Sequence, residues 1–202
     1  MDSSRSSKAL LVVDVQNDFC PGGALGIRDG SRIIPVLNRY IDFFTKERLP
    51  VIVTRDWHPE ITRHFQQFGG VWPVHCVQDS FGAQFHPELK LPEGVLVMSK
   101  GMDPEEDSYS AFQATDSSEI LLADLLKGLG VARIYIGGLA TDYCVKYSAL
   151  DALKMGLDVH ILNDAIAGVN LQPEDSSLAM EEMVRSGAKK MYLKIFLDMS
   201  ER

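Results

Sequence analysis

Ala9-Leu10-Leu11-Val12-Val13-Asp14 is the stretch on which the fold turns. Five apolar residues run without alternation and then meet a carboxylate. An unbroken apolar run is what a strand covered on both faces presents, and such strands belong to parallel sheets. The same signal returns in Val51-Ile52-Val53-Thr54, Val95-Leu96-Val97-Met98, Arg133-Ile134-Tyr135-Ile136 and Val159-His160-Ile161-Leu162. Helical spacing lies between these runs. Ile33, Ile34, Leu37, Tyr40, Ile41 and Phe44 can share one helix face. Residues 120–126 read as a helix capped by Ser117 or Ser118. Residues 142–155 read as a helix stopped by Gly156, and 173–185 as the last clear helix. Gly137-Gly138 closes the fourth strand, and 191–197 is a candidate sixth strand. This alternation implies an α/β fold: a three-layer α/β/α arrangement with a mainly parallel, roughly six-stranded open sheet. Residues 1–202 read as one domain, with 1–8 as a flexible N-terminus.

Composition narrows the function. With 46% hydrophobic and 24% charged residues, the chain has the profile of a folded globular protein. A net charge of −8 disfavours a nucleic-acid partner. No apolar run reaches the length of a membrane span, and 9–13 is too short for a signal core. The three cysteines, Cys20, Cys76 and Cys144, are an odd count at wide spacing. They form no disulfide framework, and a reducing, cytoplasmic setting is expected. Apolar helices on a small α/β domain are compatible with a homo-oligomer.

In open parallel sheets, ligands bind beyond the carboxyl ends of the strands. The chemistry-bearing residues fall there. Asp14 follows the first strand, Asp56 and His58 the second, Lys100 the third, and the 137–144 segment with Cys144 the fourth. Cys144 lies where a glycine-lined strand end passes into a helix. A thiol in a first helical turn sees the positive end of the dipole, which favours the thiolate, and free N–H groups there can hold an oxyanion. The bland alternative is a small buried hydrophobe. Asp14, at the end of an apolar strand, needs a partner. It could act as base, with Lys100 favouring both anions, and a structural Asp–Lys pair fits equally well.

The segment 56–90 is long, weakly periodic, and rich in His, Pro, Gly and aromatics, as functional loops are. Asp56 and His58 point to one side of extended backbone, and His64 and His75 follow. A mixed His/carboxylate set suits zinc, iron or manganese. Chance clustering of solvent-facing histidines is the alternative.

Six motifs together identify a resemblance: 14–20 (DVQNDFC), 55–59 (RDWHP), 72–77 (WPVHCV), 99–101 (SKG), 109–112 (YSAF) and 138–145 (GLATDYCV). From Ala9 to about Gly168, the chain resembles the nicotinamidases and pyrazinamidases among the isochorismatase-like cysteine hydrolases. The resemblance implies a catalytic triad of Asp14, Lys100 and Cys144. It also implies one divalent metal ion, zinc first, with iron or manganese as alternatives, held by Asp56, His58 and His75. His64 would be a fourth ligand or would contact metal-bound water. Phe19, Trp72 and Tyr109 would line a pocket for a heteroaromatic amide. The Leu139–Ala140 peptide would be cis, with the Ala140 and Cys144 N–H groups toward the oxyanion. The implied reaction converts nicotinamide and water to nicotinate and ammonia, feeding NAD salvage. Rivals are hydrolysis of another small amide by the same triad, or a silent binding protein on this scaffold. Thr62 stands where many relatives carry a histidine.

Overall fold

The computed structural model describes residues 7–200. Eleven regular elements follow one another: β1 (Ser7–Val13), α1 (Ile34–Lys46), β2 (Val51–Asp56), β3 (Leu96–Lys100), α2 (Leu122–Gly128), β4 (Val131–Leu139), α3 (Lys146–Lys154), β5 (Asp158–Ala167), α4 (Asp175–Arg185), β6 (Lys189–Met191) and α5 (Leu193–Ser200). The strands form one sheet in the order β3-β2-β1-β4-β5-β6, and every pairing is parallel.

The apolar run at 9–13 explains the layering. Leu10 and Val12 point into a core shared with Ile34, Leu37, Tyr40, Phe44 and Phe196, so α1 and α5 cover one face. Ala9, Leu11 and Val13 point into a second core with Leu122, Leu126, Ala149, Met180 and Met183, so α2, α3 and α4 cover the other. Period-two alternation therefore buries every residue of β1 from Ala9 onward, one face at a time.

Strand order reverses at β1. The chain runs outward through β2 and β3, then returns to place β4 on the other side of β1. Such a reversal opens a crevice beyond the strand ends, because the connections on its two sides leave toward opposite faces. Val13 of β1 stands level with Gly138 of β4. A Cβ on Gly138 would come within 2.1 Å of the Val13 carbonyl, and its φ is +121°. Only glycine allows the two strand ends to approach this closely.

Several expectations need correcting. Gly137 and Gly138 do not end β4, because they pair with Val12 and Val13 and the strand continues to Leu139. The 120–126 helix begins later, at Leu122, with no side-chain cap. Neither Ser117 nor Ser118 caps it. Asp116 organises that turn instead, accepting the N–H groups of Ser118 (2.8 Å) and Ile120 (2.9 Å). The helix expected from residue 142 opens as a π-helical turn, Thr141–Val145, before α3. The sixth strand is Lys189–Met191, and most of 191–197 is helix. Phe196 of that helix packs its ring against Tyr40, Phe43 and Tyr135 at 4.8–5.1 Å. The Asp164 carboxylate accepts the Leu193 N–H at 2.9 Å, which caps α5. Of the expected flexible stretch 1–8, residues 7 and 8 belong to β1 and the rest lie outside the described residues. Among the described residues, no helix is long and apolar enough to cross a membrane.

Candidate active site and metal centre

Three strand ends meet at the crevice. Asp56 and Lys100 are register partners at the ends of β2 and β3. Asp14 follows β1 with a positive φ of 49°. That unusual backbone turns its carboxyl group toward Lys100 and is secured by an Asp14 N–H bond to the Thr54 carbonyl at 3.2 Å. Lys100 is 1% exposed. Its Nζ lies 2.9 Å from Asp14 Oδ2, against Asp56 Oδ1, 3.1 Å from the Ser108 carbonyl and 3.4 Å from Cys144 Sγ. Thr54 Oγ1 donates to Asp14 Oδ1 at 2.6 Å. Asp14, Asp56 and Cys144 each bring one ligand-type atom within 4.8 Å of the other two.

Electrostatics sort these groups. Burial opposes the Lys100 charge, but Asp14, Asp56 and Cys144 outweigh it and hold the ammonium pKa well above normal. Burial pushes Asp56 up, yet Lys100 and the neighbouring histidines overcome it and hold this carboxyl below the carboxylate range. Asp14 goes the other way. Burial raises it, and Lys100 and Thr54 only partly oppose the rise. Cys144 departs from the expectation of a thiol with a lowered pKa. Its full burial, reinforced by Asp14 and Asp56, pushes the thiol well up despite Lys100. The resting sulfur is therefore protonated, beside a carboxylate of raised basicity.

A histidine cluster adjoins this group. One ring nitrogen from each of His58, His64 and His75 lies within 4.8 Å of the other two, and all three residues are buried. Their other nitrogens are already committed. His58 Nδ1 pairs with the Gly101 carbonyl at 2.9 Å, His75 Nδ1 with the Pro73 carbonyl at 2.7 Å, and His64 Nδ1 with Asp107 Oδ1 at 2.6 Å. A carbonyl or carboxylate oxygen only accepts, so Nδ1 carries the proton and each Nε2 presents a lone pair. His58 Nε2 is buried without a hydrogen-bond partner. Asp56 Oδ2 lies 3.7 Å from His58 Nε2 and 4.0 Å from His75 Nε2. Burial lowers His75 to about 4 and also lowers His64, so both rings are neutral near pH 7. Converging imidazole nitrogens beside an ionised carboxylate are the donor set a divalent cation takes. The residues present fit a metal ion.

An apolar cavity joins the two groups. Phe19, Trp72, Tyr109, Ala140 and Cys144 all line it, together with Asp56, His64 and His75. Trp72 Nε1 donates to the Tyr109 hydroxyl at 2.9 Å, and the Trp72 ring meets Tyr143 edge-on at 5.0 Å. The Leu139–Ala140 peptide is cis. Every site residue expected from sequence thus stands in this cavity or directly behind it, and the structure joins His64 to the histidine pair. Cys20 and Cys76 do not line this cavity, and burial raises both thiols, Cys20 to about 11 and Cys76 well above the ordinary thiol value. A larger groove of about 950 Å³ lies beyond Val169, but its lining holds no cysteine or histidine.

Several contributors escaped the sequence reading. Gln16, fully buried, grips the Asp56 backbone on both sides, accepting its N–H and donating to its carbonyl, each at 2.8 Å. Its position two residues after Asp14 was a usable signal. Thr54, a hydroxyl closing an apolar strand, was another. Tyr143 stands beside Cys144 and Asp107 in the acidic stretch before Tyr109, but Leu25 and Val169 gave no signal, because only the folded chain brings them to the cavity.

The comparisons with known proteins agree with one another. A family profile described as the isochorismatase domain matches residues 8–192. Nicotinamidase of Escherichia coli is 42% identical over 197 residues, covering 90% of this chain and 92% of that protein. Among solved structures, the pyrazinamidase of Pyrococcus horikoshii in complex with zinc is 45% identical, with a TM-score of 0.85, covering 92% of this chain and 99% of that one. The structure of PnC1 from L. infantum in complex with nicotinate is 34% identical, with a TM-score of 0.81, covering 93% of each chain.

Proposed function

The chain belongs to the isochorismatase-domain family, and from that premise we propose that it hydrolyses nicotinamide to nicotinate and ammonia, with Cys144 as nucleophile. One observation carries the reading. The Asp14–Lys100–Cys144 group and the Asp56/His58/His64/His75 group open into the same aromatic cavity. An acyl-transfer centre next to a metal-type donor set suits an amide on a ring that has its own nitrogen donor. The similar proteins named for nicotinamidase and pyrazinamidase activity support that substrate class. Pyrazinamide, with the same amide on a related ring, is a second expected substrate.

Asp56, His58 and His75 would hold the cation, with His64 beside them. Zinc is the first choice, with iron or manganese as alternatives. When bound there, it supplies a Lewis acid for the ring nitrogen of the substrate. The bond changes belong to the chain's own residues. As Cys144 Sγ attacks the amide carbon, its proton passes to Asp14, whose raised basicity suits the task. The Ala140 and Cys144 N–H groups hold the oxyanion. The C–N bond breaks, and Asp14 returns the proton to the leaving nitrogen as ammonia. Water then adds to the thioester with Asp14 again as base, releasing nicotinate and restoring the thiol. Lys100 stays charged throughout and steadies each anion in turn.

We place this activity in one domain and in a reducing cytoplasm, where it would feed NAD salvage; the three free cysteines support the compartment. The test is ammonia release from nicotinamide before chelation, after chelation, and after zinc is restored. Activity lost and then recovered is the expected result. Ammonia released from other amides but never from nicotinamide, in any metal-loaded form, would overturn the substrate assignment.

A further inference from the structure

We propose that Asp107 is a positioning residue, which sets the orientation of the His64 imidazole toward the other two histidines. The inference rests on the metal reading above and adds a residue to it. His58 and His75 take their orientation from backbone carbonyls, which the fold holds in place. His64 differs: its Nδ1 is held by a side chain, Asp107 Oδ1 at 2.6 Å, 43 residues away. That carboxylate fixes the tautomer, aims Nε2 at the other two histidines and strengthens the ring as a donor. The His64 ring lies against His58 with centroids 4.6 Å apart and planes 30° from parallel. Its side chain is 5% exposed, while that of Asp107 is 64% exposed.

The segment carrying Asp107 is anchored to the one carrying His64. Arg63 N–H donates to the Pro104 carbonyl at 2.9 Å, and Thr62 Oγ1 donates to the same oxygen at 3.2 Å. Thr62 Oγ1 also accepts the His64 N–H at 3.2 Å. Arg63 Nη1 pairs with Glu105 Oε2 at 3.1 Å. Segments 62–64 and 104–107 therefore present the His64–Asp107 pair together, with the Thr62 hydroxyl bonded to both. A pair whose carboxylate is largely in solvent adds little to fold stability by itself, so orientation of the buried ring is the role it can fill.

The experiment measures zinc affinity by competition with a chromophoric chelator, and the visible spectrum of the cobalt(II)-loaded protein. It uses wild type, Asp107→Ala, Asp107→Glu, His64→Ala and the double variant Asp107→Ala/His64→Ala. Asp107→Ala should weaken zinc binding by about 10–100-fold and alter the cobalt spectrum, with Asp107→Glu recovering part of the loss. His64→Ala should lose at least as much, and the double variant no more than His64→Ala alone, because the two residues act as one. The thermal midpoint of metal-free Asp107→Ala should match that of metal-free wild type. Zinc affinity unchanged in Asp107→Ala, or losses that multiply in the double variant, would overturn the proposal while leaving the metal site standing. Failure of the wild type itself to bind zinc or cobalt would overturn both.

Discussion

Replacing Lys100 with Met tests the electrostatic core of the site. Met keeps the length of the side chain and its apolar stem, so little cavity is created. What disappears is the ammonium between Asp14 and Asp56. No other lysine or arginine among the described residues pairs with either carboxylate. Removing one member of a buried ion pair costs about 3–5 kcal/mol, because the remaining charge is left desolvated. With a urea m-value of about 2 kcal/mol per molar, the unfolding midpoint should fall by about 2 M near pH 7.5. The pH dependence supplies the sharper sign. In the wild type, Asp56 is held below its unfolded pKa, so its contribution to stability is lost as pH falls. In the variant Asp14 loses the main charge that opposes its rise, and Asp56 keeps only the neighbouring histidines against burial, so both native pKa values move up from their wild-type positions. The native variant then binds more protons than the native wild type as pH falls, while the two unfolded chains titrate these carboxyls alike. The gap between the two proteins should therefore narrow from pH 7.5 toward pH 5. Urea melts of the chelated proteins at both pH values measure it. A midpoint within about 0.5 M of wild type at pH 7.5, or a gap that widens toward pH 5, would refute the reasoning.

Three other outcomes are expected. Gly101 has a φ of +68°, and a Cβ there would meet His58 Cε1 at 2.5 Å, so Gly101→Ala should displace that ring and weaken zinc binding by at least about tenfold in a chelator competition. Thr54→Val removes a hydrogen bond that lowers the Asp14 pKa, so the acid limb of the kcat/KM profile should move to higher pH. In metal-free protein, His75 titrates near 4 when native and near 6.5 when unfolded, so the unfolded chain binds more protons between those values. Stability should therefore fall as pH drops through that window, by up to about 3 kcal/mol more in wild type than in His75→Asn, as measured by urea melts.

The fold and the site were legible in the sequence to different depths. Apolar runs announced five of the strands, because a strand buried on both faces cannot carry polar residues at alternate positions. Asp14, Asp56, Lys100 and Cys144 stood out because each ends such a run or closely follows one. Residues 191–197 misled because a short apolar segment satisfies strand and helix alike, and the choice was made by Phe196 seating among the aromatic rings of α1 and β4. The sign of the Cys144 shift was also out of reach. A helix start is visible in a sequence, whereas complete burial beside two carboxylates is a property of the assembled crevice. The acidic stretch before Tyr109 is visible in the sequence, but the pairing of Asp107 with His64 is not, since the two lie 43 residues apart and no periodicity links them.

In the proposed reaction the amide bond is broken by the Cys144 sulfur. Its most direct test is ammonia release from nicotinamide by wild type and Cys144→Ala, each first shown to bind zinc to the same stoichiometry. Steady release by wild type and release at the buffer background by the metal-loaded variant are the expected results. Turnover retained by Cys144→Ala would contradict that reaction and move the chemistry to another group.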